Sequence, residues 1–437
     1  MLVAPRDAGA AAPAEWRSGE IRLEIDFASD KSGQPLNEQA RAHSRGFHEG
    51  LGALLAGGEK ELETGREGGY LIITPPQFQT VLEPLAQWKR EKGFEVRVAT
   101  TAETGSDRNQ IRAFIGELYR NAPVPPQFVL LVGDVNLLPA FDFNHVVTDL
   151  QYALQEGEDF LPDLNVGRFS VSDVSQAETM VAKTLRYESD PFREDPGNGA
   201  WMGRGLVVAG NYPSTTPVPT LSWARTQLLA SGWSEVDSVF YPTNWIGVPL
   251  IQRSLNQGTS IVMYRGWARD IDGWEPPQFL RSHIPALNNR WMLPVVMSFV
   301  CANNRFDDPD QDCFGEVWIR AGTPTAPAGA VAFIGNGEHW SHTRFNDSAA
   351  IAAASAIREQ GVRRLGELLN SIKLDFLRQF PLEIPYQSEA GESVEFYFYI
   401  YNLLGDPELA LWSGAPLDVE VEVPEAVPAT ANHLRAV

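Results

Sequence analysis

The stretch Val295–Phe306, VVMSFVCANNRF, is an apolar run that stops at a cysteine and breaks into a polar turn. Rich in Val and bounded by Pro294 and Asn303, the segment Leu293–Val300 reads as a strand buried on both faces of a parallel sheet. Cys301 falls where that strand ends. In open parallel sheets the carboxyl ends of strands are where sites are built. A thiol there suits nucleophilic chemistry, which needs partial exposure and a nearby proton acceptor or positive group. A cysteine after a strand is also an ordinary small core residue, so the weight falls on the rest of the chain.

Working outward, a strand–helix rhythm starts at Tyr70–Thr74 (YLIIT) and continues through an amphipathic helix over Gln77–Lys92. Glu95–Ala99, a helix over Asp107–Asn121 and the strand Phe128–Val132 follow. An acidic loop within Asp149–Phe169 (EGEDFLPDLNVGRF), a helix over Ser175–Glu188 and a Pro/Asp/Gly-rich linker over Ser189–Trp201 come next. A second run opens at Gly205–Ala209 and includes a helix over Leu221–Ala230, strands at Val239 and Ile261–Tyr264, the Cys301 strand and Ala330–Ile334. Helices over Asn346–Glu359 and Arg364–Gln379 pack behind, and Phe396–Leu411 closes the unit. Strands alternating with helices of this length predict a parallel α/β sheet. The expected divisions are 1–67, an extension with one strand at Ile21–Phe27 and a short helix near His43–Leu55; 68–200, a first α/β subdomain; 201–412, a second carrying Cys301; and 413–437, where SGAPLDVEVEVPEAVP alternates like the start of a β-sandwich.

The formal net charge of −21, from 56 acidic and 35 basic residues, argues against nucleic acid and anionic membranes as partners. It is compatible with cationic peptides or bound calcium. No window has the apolar length of a membrane span. The N-terminal MLVAPRDAGAAAPAEW lacks a basic region followed by an apolar core, so no signal peptide is visible. Cys301 and Cys313 form neither a disulfide framework nor a structural zinc site, although a bridge between them is sterically open. No nucleotide fingerprint is present. Asp307, Asp308, Asp310 and Asp312 alternate like oxygen ligands for a structural calcium, without the spacing of an EF-hand.

YLIITPPQF, WKREKGFEV, PPQFVLLVGDV, DFLPDLNVGRFSV, GTSIVMYRGW, the Cys301 segment, GAVAFIGN and YNLLGDPELAL occur in an order and spacing that resemble the gingipain-type cysteine peptidases. The resemblance runs from about Tyr70 to Trp412. It implies a caspase-like three-layer α/β/α fold of two side-by-side subdomains followed by an immunoglobulin-like domain. It also implies a Cys–His dyad with Cys301 as nucleophile, a peptide or protein substrate, and a secreted or cell-surface setting. No cofactor is required, and calcium is at most structural. Asp159 matches the acid with which arginine-directed members select a basic side chain before the cut. Asp149 stands where an orienting carboxylate could originate.

The resemblance fails at one point. The family's Gly-His-Gly histidine falls in Tyr264–Ala268, where this chain has Trp267. Two readings stay open. In one, a histidine of GNGEHWSHTRF serves as base, His342 being favoured over His339 because His339 lies beside bulky Trp340 nearer the strand end. Backbone N–H groups of Cys301 and of Trp267 or Ala268 then form the oxyanion hole, and Trp340 floors the substrate cleft. In the other, the domain is an inactive pseudopeptidase that binds peptides or a partner. A transpeptidase shares the first step with hydrolysis.

Overall fold

Along Tyr70–Ile73 successive side chains leave opposite faces of the strand, and all four are buried. Tyr70 and Ile72 join one hydrophobic core while Leu71 and Ile73 join another. The unbroken apolar runs of the sequence thus correspond to strands with a helical layer on each side. The computed structural model describes residues 23–26, 68–192, 197, 199–384, 390–416 and 433–436. The helix expected near His43–Leu55, nearly all of 1–67 and residues 417–432 of the expected β-sandwich lie outside the described residues. Within the expected Ile21–Phe27 strand, Leu23–Asp26 is extended and pairs antiparallel with His433–Ala436.

A 10-stranded sheet organises the chain. Its strands are β1 (Gly69–Thr74), β2 (Glu95–Thr100), β3 (Pro126–Val132), β4 (Asn165–Phe169), β5 (Arg204–Gly210), β6 (Glu235–Tyr241), β7 (Ile261–Arg265), β8 (Val295–Phe299), β9 (Ala332–Asn336) and β10 (Tyr401–Leu404). Their order is β2-β1-β3-β4-β10-β9-β8-β7-β5-β6. The Cys301 strand, β8, is parallel to both neighbours, as its apolar run predicts. The direction reverses once, where β10 runs antiparallel to β9. β10 meets β4 through the single register pair Leu404↔Arg168. The sheet is therefore parallel within β1–β4 and within β5–β9, while β10, which follows the second group in the chain, runs in the direction of the first. The carboxyl ends of β9, β8, β7, β5 and β6 consequently share one edge.

Helices α1 (Gln79–Glu91), α3 (Val174–Ser189), α5 (Gly247–Asn256) and α6 (Phe314–Arg320) cover one face. The other is covered by α2 (Arg108–Asn121), α4 (Pro217–Ala230), α7 (Thr343–Glu359), α8 (Leu365–Gln379) and α9 (Val394–Ile400). Asp107 caps α2, accepting from Asn109 N at 2.8 Å, and Asp173 caps α3, accepting from Gln176 N at 2.9 Å. Such caps satisfy N–H groups the helix itself cannot. Helices α5, α6 and α9 are additional to the sequence expectation. Among the described residues no helix is long and apolar enough to cross a membrane.

The two strand groups are tied by a buried ionic cluster. Lys89 of α1 places Nζ 2.6 Å from Asp406 Oδ2, 2.6 Å from Glu408 Oε2 and 2.9 Å from Glu188 Oε2. Lys92 adds contacts of 2.5 Å to Glu408 and 2.8 Å to Glu188, and the Tyr70 hydroxyl donates to Asp406 Oδ1 at 2.8 Å. Asp406 and Glu408 follow β10, so the cluster joins the helices of the first group to the turn that ends the second. Among the described residues Glu188, Asp406 and Glu408 gather closely enough to hold a metal ion, and lysines fill the place it would take. Burial by itself would raise the Glu408 carboxyl, but Lys89, Lys92 and Arg364 hold it down to about 2. Its contribution is complete above the ordinary carboxylate range and is lost as pH falls toward that value. Burial pushes the Asp406 carboxyl up against the pull of Lys89, which offsets part of this. Lys89→Met leaves buried carboxylates uncompensated and is expected to lower the unfolding free energy by about 3 kcal/mol or more. Denaturant melts at neutral pH measure this, and melts in acid should show a smaller gap between variant and wild type.

Candidate active site

Cys301 lies just beyond β8, flanked by the loops that leave β7 and β9. Its thiol is free and partly accessible. Ala302, the next residue, is left-handed with φ 54°, which costs an L-residue about 1 kcal/mol. The conformation is held because Ala302 N–H donates to Glu338 O at 2.7 Å and Asn304 N–H to Asn336 O at 3.0 Å. The loop after β9 is thereby pinned to the turn after Cys301. From that loop Ser341 meets the thiol: Cys301 Sγ is 3.2 Å from Ser341 Oγ and 3.8 Å from its carbonyl oxygen.

Neither candidate imidazole is hydrogen-bonded to the sulfur, and each holds a carboxylate through Nδ1. His342 Nδ1 lies 2.9 Å from Glu392 Oε1, and its backbone N–H donates to the Tyr397 hydroxyl at 2.6 Å. Glu392 is shared with Arg344 at 2.6 Å. His339 Nδ1 lies 3.2 Å from Asp270 Oδ1. Asp270 belongs to the loop after β7, so the His339–Asp270 pair spans from one neighbour of β8 to the other. Asp270 is fixed there because its carbonyl accepts from Asn303 Nδ2 at 2.9 Å. Asp270 was not legible as a partner, since the contact joins residues far apart in sequence.

Trp267, at the position expected for histidine, is 48 % exposed, and its carbonyl accepts from the Tyr264 hydroxyl at 2.7 Å. Arg265 braces the turn from beneath: buried, it donates to Gly266 O at 2.8 Å, Thr343 O at 2.9 Å and Asp347 Oδ1 at 2.6 Å. No hydrogen bond among the described residues takes up the N–H groups of Cys301, Trp267 or Ala268. Trp340 is 76 % exposed and stands edge-on to His339 at 5.2 Å.

The remaining candidates are dispersed. Asp159 is exposed and accepts from Leu161 N at 2.9 Å in its own turn, while adjacent Phe160 packs on Phe398 at 4.8 Å. Asp149 is not an orienting carboxylate for a dyad: both oxygens pair with buried Arg168 at 2.7 Å. The acidic run does not gather around one point. Asp307 pairs with Arg305 at 3.1 Å, Asp308 accepts from Asp310 N at 3.0 Å, and Asp312 pairs with Arg320 at 2.5 Å. The sterically open disulfide is not formed. Cys313 is buried before α6, and burial pushes its thiol well up.

A partly exposed thiol thus stands at the carboxyl edge of a parallel strand, with two carboxylate-paired imidazoles on the adjacent loop. The sequence pattern of peptidase family C25 matches residues 63–412, and the chain belongs to that family. It is 24% identical over 389 residues to gingipain R2 of Porphyromonas gingivalis, covering 85% of this chain and 50% of that protein. Against Lys-gingipain of the same organism it is 27% identical over 277 residues, or 61% of this chain and 15% of that one. The chain thus spans about half the length of the first of these curated relatives, and less of the second. The crystal structure of the Arg-specific cysteine proteinase gingipain R superposes with a TM-score of 0.75 at 21% identity, covering 85% of each chain. The caspase-like α/β fold expected from the sequence is thereby established.

The burial difference between the two cysteines sets an expected outcome. Under reducing, native conditions a thiol reagent should titrate Cys301 alone, and Cys313 should appear only on unfolding. Native titration of both, or loss of the native signal in a Cys313→Ala variant, would contradict this placement.

Proposed function

We propose that the chain is an endopeptidase in which Cys301 is the nucleophile and His339, oriented by Asp270, is the surrogate base. The observation carrying this reading is the His339–Asp270 pair spanning the loops on either side of the Cys301 strand. A carboxylate on Nδ1 fixes the tautomer and leaves Nε2 for proton transfer, as in other triads. Glu392 confers the same on His342, but there the acid is also engaged by Arg344. His339 is therefore preferred here to His342, reversing the order suggested by sequence position.

In the proposed reaction His339 Nε2 takes the thiol proton once its side chain is brought to the sulfur. The Cys301 sulfur attacks the carbonyl carbon, and the negative oxygen is received by the unused N–H groups of Cys301 and of Trp267 or Ala268. The imidazolium returns the proton to the departing amine, leaving a thioester. Neutral His339 then deprotonates water, which attacks the thioester and releases the acid and the thiol. Asp159 would pair with a basic side chain before the cut, and Trp340 would lie along the substrate.

A second reading is favoured by one contact: the sulfur meets Ser341 rather than an imidazole, as expected of a domain that holds peptides without cutting them. Labelling with a peptidyl electrophile carrying Arg at P1, together with cleavage of the matching peptide, separates the two. Cys301→Ala should abolish both, and His339→Ala should lower kcat/KM about 100-fold or more. His342→Ala should have the smaller effect. Folded wild-type protein that neither cleaves nor labels faster than a simple exposed thiol would establish the binding reading instead.

A further inference from the structure

Beneath the Cys301 sulfur lies a directional chain of hydrogen bonds that the peptidase reading does not use. The Tyr401 hydroxyl lies 2.7 Å from Asn346 Oδ1, Asn346 Nδ2 lies 2.8 Å from Ser341 Oγ, and Ser341 Oγ lies 3.2 Å from Cys301 Sγ. Tyr401 begins β10, Asn346 is in the first turn of α7, and Ser341 sits on the loop between β9 and α7. Both Tyr401 and Asn346 are buried, so neither exchanges its partner for solvent. Three elements therefore converge on one hydroxyl.

The donors and acceptors can be assigned in order. A phenol donating to Asn346 Oδ1 leaves the amide NH2 facing Ser341. A serine oxygen that accepts from that NH2 has one hydrogen left, and the sulfur is the neighbour within reach. We propose that Ser341 is a positioning residue that donates its hydroxyl hydrogen to the Cys301 sulfur and so favours the thiolate. The neutral thiol can instead donate, to the Ser341 carbonyl at 3.8 Å or to the second lone pair of Ser341 Oγ, but each of those is a bond between neutral groups. A hydrogen bond to an ionised group is about twice as strong as one between neutral groups, which biases the site toward the anion. Burial pushes the Tyr401 phenol well above its ordinary range, keeping it a donor whenever a thiolate is present.

The charged and titratable groups around the sulfur come from each packed element. The Tyr397 and Tyr401 phenols face it from α9 and β10, and Arg265 acts on Tyr401 from β7. His339 and His342 flank Ser341, with Asp270 and Glu392 beyond them. Ser341→Ala removes none of these, so its effect isolates the hydroxyl.

The inference rests on Cys301 being the reactive thiol but not on peptide cleavage. Its test is alkylation of the full chain by iodoacetamide as a function of pH, with Cys301→Ala subtracted and thiolate absorbance followed in parallel. Ser341→Ala should lower the neutral-pH alkylation rate roughly tenfold and move the rise of the profile to higher pH. Ser341→Thr, which keeps the hydroxyl, should restore both. Tyr401→Phe, which leaves Ser341 in place, should give a smaller shift in the same direction and serves if the alanine variant fails to fold. An unchanged profile in folded Ser341→Ala, a threonine variant as impaired as alanine, or no shift in Tyr401→Phe would each overturn the proposal. Wild type that alkylates in this manner but cleaves nothing would sink the peptidase reading and leave this one standing.

Discussion

The arrangement depends on one strand that enters the sheet backwards. β10 reverses the direction set by β9 and touches β4 at one register pair, which is little hydrogen bonding for a junction between two groups of strands. The buried Lys89 cluster reinforces that junction, because Asp406 and Glu408 come from the turn after β10 and Lys89 from α1. Arg320 makes a second tie, linking Asp134 and Glu316 at 2.9 Å each. Removing one partner from such paired charges in a dry interior strands the others and costs about 3–5 kcal/mol.

With the junction held, three adjacent parallel strands deliver three loops to one place. β7 supplies the Trp267 turn and Asp270, β8 supplies Cys301, and β9 supplies His339, Ser341 and His342. Arg265 extends the same logic downward by bonding the turn after β7 to the start of α7. The turn that carries Trp267, where the sequence resemblance leads one to expect histidine, is therefore held by its surroundings. Main-chain N–H groups persist whatever side chain the turn carries, and the loop after β9 carries His339, paired with Asp270 of the loop after β7.

Much of the fold could be read from residue order. The apolar runs at Tyr70, Phe128, Gly205, Ile261 and Val295 became sheet strands, because continuous β-branched stretches bounded by turns have few other ways to be buried. Strand direction at β10 was not legible, since a short apolar segment carries no mark of which way it will pair. Helices α5 and α6 were missed because Gly247–Asn256 contains Pro249 and Phe314–Arg320 is only two turns long. In the site, Cys301 and its loop could be placed by topology. The engagement of His339 by Asp270, of His342 by Glu392 and of Asp149 by Arg168 depends on side-chain packing across long separations, which periodicity does not encode.

The separation of the two sulfurs ties the protein to its surroundings in a particular way. An oxidant that converts Cys301 to a sulfenic acid finds no resolving thiol in the fold, because Cys313 is sealed and held in its neutral, unreactive form. The chain has no internal disulfide in which to store the damage reversibly. Protection and repair fall to small external thiols, to which the partly exposed Cys301 is open. Oxidation at this edge thus reports the redox poise of the medium rather than that of the protein.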